Sequence, residues 1–133
     1  VSVQNLLLNW YDTNARELPW RSSKLPYHIL VSEFMLQQTQ VETVLPYFQR
    51  FIETWPTVQD LANAEEQAVL KVWEGLGYYR RAVNLHRSAK MIVQTFGGKV
   101  PSTTDALLKL PGVGPYTAAA IASIAFGVPV AAI

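Results

Sequence analysis

The chain has 133 residues, half of them hydrophobic, with 11 Lys and Arg against 10 Asp and Glu and no cysteine. That content suits one folded domain with a real core and excludes a disordered chain. Zero cysteine excludes a disulfide framework and any thiolate metal site within these residues. A net charge of +1 is not that of a uniformly basic nucleic-acid binder. Its distribution is uneven, however. Residues 1–75 carry nine acids against five bases, whereas residues 76–133 carry Arg80, Arg81, Arg87, Lys90, Lys99 and Lys109 against Asp105 alone. A polyanion would be met by the second half, although a solvated helix face explains the same charges equally well. The two histidines, His28 and His86, read as ordinary packing or surface residues and not as metal ligands.

Helical periodicity runs through almost the whole chain. Val3, Leu6, Leu7 and Trp10 share one face of a first helix, and prolines then break the pattern in ARELPWRSSKLPY. A helix is expected from His28 through ILVSEFMLQQT. The next runs through VETVLPYFQRFIETW, where Pro46 predicts a kink or an early break. TVQDLANA is a short helix with Thr57 as N-cap and Asp60 in its first turn. EEQAVLKVWEGL follows and ends at Gly75 and Gly77. The longest helix is YYRRAVNLHRSAKMIVQTF, closed by Gly97-Gly98. After it come a short helix capped by Ser102 or Thr103 and a last one beginning after Gly114. No segment alternates with period two, so the fold class is all-α. The apolar run from Tyr116 to Ile133 is broken by Gly127 and Pro129, and reads as a buried helix in place of a membrane span. The chain opens on Val1 inside an amphipathic pattern and stops at Ile133 inside an apolar one. It therefore reads as a fragment, incomplete at the C-terminus.

Two stretches carry candidate chemistry. In ALLKLPGVGPYTAAAIAS, a helix leads through a tight Gly-x-Gly turn into a second helix. Gly112 and Gly114 allow close approach, and Pro115 suits the first helical position. Backbone N–H groups of Gly112, Val113 and Gly114 then form a phosphate-sized anion site that is blind to base sequence. In ELPWRSSKLPYHILVSEFMLQQTQVETVLPYF, Glu33 sits between Val31 and Phe34, with Ile29, Leu30 and Leu36 a turn away. A carboxyl in such company keeps its proton to higher pH than a solvated one, as a general acid must. An exposed or capping Glu33 is the plainer alternative.

The motif LPGVGxxTA resembles the hairpin of the endonuclease III superfamily of helix-hairpin-helix DNA glycosylases. Members that also cleave the strand carry a lysine two residues after the second hairpin glycine, where this chain has Tyr116. An amine forms a Schiff base at the deoxyribose C1′ and a phenol does not. The run VSExMLQQTxV, preceded by LPWR, is similar to the MutY branch of adenine glycosylases. That resemblance spans the whole chain and implies a six-helix core over 20–133, with the helix-hairpin-helix at about 104–126. Residues 1–19 would supply the first helix and linker of an otherwise missing cluster domain.

The function implied is excision of adenine mispaired with 8-oxoguanine or guanine in double-stranded DNA, by a base flipped from the stack. Glu33 matches the general acid on adenine N7 and Tyr116 marks the site without the lyase step. Gln38 matches a wedge residue and Tyr78 an intercalating aromatic, while Trp20, Arg21 and Leu36 match the adenine pocket. For Gln38, Tyr78 and Trp20, ordinary surface or core roles remain alternatives. The family's catalytic aspartate, its four [4Fe–4S] cysteines and its 8-oxoguanine-reading domain would follow Ile133, leaving no cluster ligands here and the fragment inactive alone. The resemblance also implies a monomer without membrane attachment, acting in the bacterial cytoplasm at the nucleoid, or otherwise in nucleus or mitochondrion. The alternatives are a mismatch thymine glycosylase of the same superfamily and a non-catalytic DNA-binding hairpin module.

Overall fold

A computed structural model describes residues 25–127. The expected first helix, the 1–19 segment and the apolar stretch after Gly127 lie outside the described residues. Within them the fold is all-α: α1 (Pro26–Leu36), α2 (Val41–Thr54), α3 (Val58–Asn63), α4 (Glu66–Trp73), α5 (Arg80–Thr95), α6 (Thr104–Leu107) and α7 (Pro115–Phe126). No described helix is long and apolar enough to cross a membrane.

The centre of the fold is α1. Its residues Ile29, Leu30, Val31, Phe34 and Met35 are all buried, so apolar side chains cover nearly its whole circumference. A helix of that kind must be enclosed, and α2, α5 and α7 enclose it. It begins at Pro26, two residues before the expected start, because proline is pre-organised for a first helical turn. Tyr27 fastens this start by donating its hydroxyl to the Trp55 carbonyl at 2.8 Å.

Pro46 does not end α2 early; the helix runs on to Thr54 with the proline inside it. The ring lies on the exposed face, so the carbonyl it leaves unpaired faces water. Val44, Phe48 and Phe51 keep the opposite face in the core. Thr57 caps α3 as expected, in a reciprocal capping box. Its Oγ1 accepts from the Asp60 N–H at 3.2 Å, and the Asp60 carboxylate accepts from the Thr57 N–H at 3.2 Å. Of the two caps offered for α6, Thr103 is the one used, accepting from the Ala106 N–H at 3.2 Å.

At 16 residues, α5 is the longest described helix, and it packs on α3, α4 and α1. The alanines of α7, Ala118 and Ala122, are fully buried and let that helix approach α1 closely. Of the six basic residues after position 75, five are exposed, but Arg81 is 7 % exposed and turned into the core. The basic face of the second half is thus one charge weaker than the sequence count implies.

His86 is buried on α5 with Nε2 2.9 Å from the Ala64 carbonyl, which can only accept, so Nε2 carries the proton. Burial, then the Lys90 charge, hold its pKa below the ordinary 6.5, and burial acts in the same direction on His28. A lowered histidine pKa means that the unfolded chain binds the proton more readily than the folded one. Stability from these residues is complete above about pH 6.5 and is lost as pH falls below it. Melting temperature measured from pH 8 to pH 5 should decline below that point. His86→Gln should melt lower at pH 8 yet show a flatter decline.

Candidate nucleic-acid interface

The C-terminal end of α1 and the N-terminal end of α7 meet at a cleft of about 610 Å³. Glu33 and Leu36, both half-buried on the last turns of α1, form one wall, continued by Gln37 and Gln38 in the turn that follows. Gly112, Gly114, Tyr116 and Thr117 form the opposite wall. The two walls are tied where the Gln37 amide donates to the Thr117 hydroxyl at 3.4 Å. Among the described residues, Glu33 is the carboxylate that lines this cleft.

The hairpin owes its shape to one glycine. Gly112 has φ +80°, a left-handed conformation that costs any L side chain about 1–2 kcal/mol. A Cβ added there would stand 2.8 Å from the Asn84 Cβ and 3.1 Å from a Phe34 ring carbon. Gly114 differs: its φ is −93°, and nothing lies within 4 Å of an added Cβ. Its openness faces outward, where a ligand backbone could approach. Ser88 on α5 secures the hairpin by donating to the Pro111 carbonyl at 3.0 Å.

Val113 behaves differently from the expected DNA-contacting residue. Its side chain is buried at 7 % exposure, and its N–H is spent on the Leu110 carbonyl at 3.2 Å. The residue anchors the hairpin from within. The first intrahelical bond of α7 runs from the Ala118 N–H to the Gly114 carbonyl at 2.9 Å, so the amides of Tyr116 and Thr117 precede it. Tyr116 itself is 76 % exposed, its ring standing at the cleft mouth.

Gln38 and Tyr78 share an unusual backbone. They are the non-glycine residues with positive φ among those described, at +61° and +50°. Both are exposed, Tyr78 at 63 %. Arg81 lies beneath them. Its Nη1 donates to the carbonyls of Phe34, Met35 and Gln37 (2.6 Å to Met35), and its Nη2 to those of Leu76 and Gly77 (3.1 Å to Gly77). The guanidinium carbon also sits 5.3 Å from the Tyr78 ring centre and 5.5 Å from that of Trp73. Burial pulls its pKa down, with Tyr78 opposing, and a guanidinium stays charged at any physiological pH.

Residues 31–129 match the sequence model of the HhH-GPD superfamily of base excision DNA repair proteins. The chain belongs to that superfamily. The adenine DNA glycosylase of Rattus norvegicus is 50 % identical over 129 residues, covering 90 % of the chain and 25 % of the rat protein. The chain thus spans about a quarter of that relative's length. Among solved structures, a thermostable thymine-DNA glycosylase superposes with a TM-score of 0.79 at 33 % identity, covering 90 % of the chain and 56 % of its own. Endonuclease III in a non-covalent DNA complex superposes at 0.77 with 28 % identity, covering 97 % of the chain and 63 % of its own.

Of the residues singled out from sequence, the fold brings Glu33, Leu36, Gln38, Gly112, Gly114 and Tyr116 to one cleft. Tyr78 joins them through Arg81. Trp20 and Arg21 lie outside the described residues. The contributions of Gln37, Thr117, Ser88 and Arg81 went unread in the sequence. For Arg81 a signal existed, since it shares a helical face with the buried Leu85, Ser88 and Ile92.

The two hairpin glycines should respond differently to the same substitution. Gly112→Ala should lose about 2–4 kcal/mol of stability, from the backbone conformation and the clash with Asn84 together. Gly114→Ala should cost under about 1 kcal/mol yet weaken duplex binding at least as much. Thermal melting and fluorescence anisotropy on the same two variants check both statements.

Proposed function

We propose that this chain is the base-excising core of an adenine DNA glycosylase. It acts on adenine mispaired with 8-oxoguanine or guanine in double-stranded DNA, and leaves the strand uncut. One observation carries the reading. A half-buried glutamate on a central helix and a Gly-x-Gly hairpin at the head of another line a single cleft of about 610 Å³, roomy enough for an extruded base. Sequence identity to adenine glycosylases supports adenine as the base.

The chemistry follows from those parts. The hairpin grips a phosphate through backbone N–H groups, with Gly112 and Gly114 supplying the close approach. Gln38 and Tyr78, projecting from their turns, fill the gap that the flipped nucleotide leaves. Glu33 delivers its proton to adenine N7, and the C1′–N9 bond breaks with its electron pair leaving on the purine. Water adds to the oxocarbenium-like C1′ and gives up a proton, so that adenine and an abasic sugar result. A second carboxylate, which the described cleft does not supply, would stabilise that centre in the pairing glycosidases use. Tyr116, in place of an amine, leaves no Schiff base and hence no strand scission.

An iron–sulfur cluster is held by cysteine thiolates. This chain has no cysteine, and no described group of three or more His, Asp or Glu residues could hold a metal. The residues present do not fit such a cluster, and a cluster of the whole protein would draw its ligands from outside these 133 residues. We assign the protein to the compartment that holds its DNA, as a monomer.

The test is single-turnover base release by the full gene product on a duplex with one A:8-oxoguanine pair. Wild type should release adenine and leave an alkali-labile but unbroken strand. Glu33→Gln should slow release by about 10²–10⁴-fold with duplex affinity unchanged. Release surviving that substitution would favour a hairpin-only binding module. Thymine release from a G:T duplex in place of adenine would favour the reading suggested by the thymine glycosylase structure.

A further inference from the structure

The turns that carry Gln38 and Tyr78 come from distant parts of the chain, yet one buried side chain grips both. Nη1 of Arg81 reaches the Gln37 carbonyl and Nη2 the Gly77 carbonyl at 3.1 Å. Those are the peptide groups directly before Gln38 (φ +61°) and Tyr78 (φ +50°). A strained conformation persists only where its surroundings over-determine it. The grip falls on the peptide planes that set each strained residue's direction.

The division of labour is strict. Nη1 serves the carbonyls at the end of α1, and Nη2 serves those of the 76–77 loop. Only a planar fork with several fixed donors can serve two sides at once; an ammonium is a single point. Arg81 contacts the described cleft through neither a lining atom nor an exposed one, being 7 % exposed. Its place is behind the interface.

The geometry points to Arg81 as a positioning residue that locks the Gln38 turn and the Tyr78 turn into one rigid intercalating unit before DNA binds. This deepens the proposed function, since it rests on reading Gln38 and Tyr78 as the residues that enter the duplex. Preorganisation of this kind spares the encounter the cost of ordering two separate turns. It acts on base extrusion and leaves the phosphate grip of the hairpin untouched, because Ser88 and Asn84 hold the hairpin from further along α5.

The decisive experiment compares wild type with Arg81→Lys in the full gene product. Extrusion is followed by the fluorescence of 2-aminopurine placed opposite 8-oxoguanine, and release by single turnover on adenine. Arg81→Lys should reduce both by tenfold or more while affinity for a matched duplex stays within about twofold. In a Gln38→Ala/Tyr78→Ala background the same substitution should cost less than about twofold, because the groups it positions are gone. An equal loss in both backgrounds, or parallel loss of matched-duplex affinity, would overturn the assignment. Should Arg81→Lys fail to fold, the wild-type guanidinium decides. Its Nη protons should give separate, exchange-protected NMR signals in free protein, and averaged, freely exchanging signals would refute the lock. A wild type that releases no base would sink the functional reading, and the same Nη signals would still decide the lock.

Discussion

Enclosing α1 on nearly every side sets a problem that the rest of the structure solves. The last carbonyls of a helix have no partner within it, and at a helix end surrounded by protein, water cannot supply one cheaply. Those carbonyls also carry the negative end of the helix dipole. A buried cation answers both needs, and Arg81 supplies it, accepted by Phe34, Met35 and Gln37. The guanidinium in turn finds its counter-charge in peptide carbonyls and two aromatic rings, with only Nε left without a hydrogen bond. The exit of the central helix and the turn after α4 are consequently one linked piece of structure.

The same helix that carries Arg81 also supports the hairpin. Three and seven residues on, Asn84 and Ser88 lie along the same side of α5. Asn84 leaves room for a hydrogen atom and nothing larger at Gly112. Ser88, fully buried, holds the Pro111 carbonyl. Three surface features drawn from separate parts of the chain therefore share one rigid support. Short turns held in this way have the fixed geometry that the proposed recognition of a duplex and one extruded base demands.

Electrostatics fits a grip that is directional and not strongly charged. With a net charge of +1 the chain has little long-range pull on a polyanion, and Arg81 is withdrawn from its surface. In the proposed interface, backbone amides and exposed aromatic and amide side chains carry more of the contact instead. Such groups position a duplex through its backbone and through stacking, with no reading of base sequence. The proposed function, which meets one kind of lesion in many sequences, calls for that indifference. The superfamily's membership in base excision repair accords with it.

Much of this was legible in the sequence because it is local. The all-α class, the Thr57–Asp60 capping box and the glycine-bounded helix ends follow from periodicity and from backbone groups within a few residues. The Gly-x-Gly turn was legible as a motif, since its shape rests on residue types at fixed spacing, whereas its meeting with Glu33 in one cleft was not. That α2 would run past Pro46 was not legible, because only packing sets which way the ring and the carbonyl it leaves unpaired face. Val113 was misread because its neighbours along the chain do not reveal that its side chain enters the core and its N–H is already taken. Arg81 is the clearest case. Beside Arg80 it looks like half of a basic surface pair, but consecutive residues on a helix point about 100° apart, so one faces water and the other the core. The sequence by itself determined the helices, their caps and the kinds of residue at the site. Which carbonyls needed a buried donor, and so which turns are held together, was decided by tertiary structure, because that need arises only once the Phe34 and Met35 carbonyls are buried on the inner side of α1.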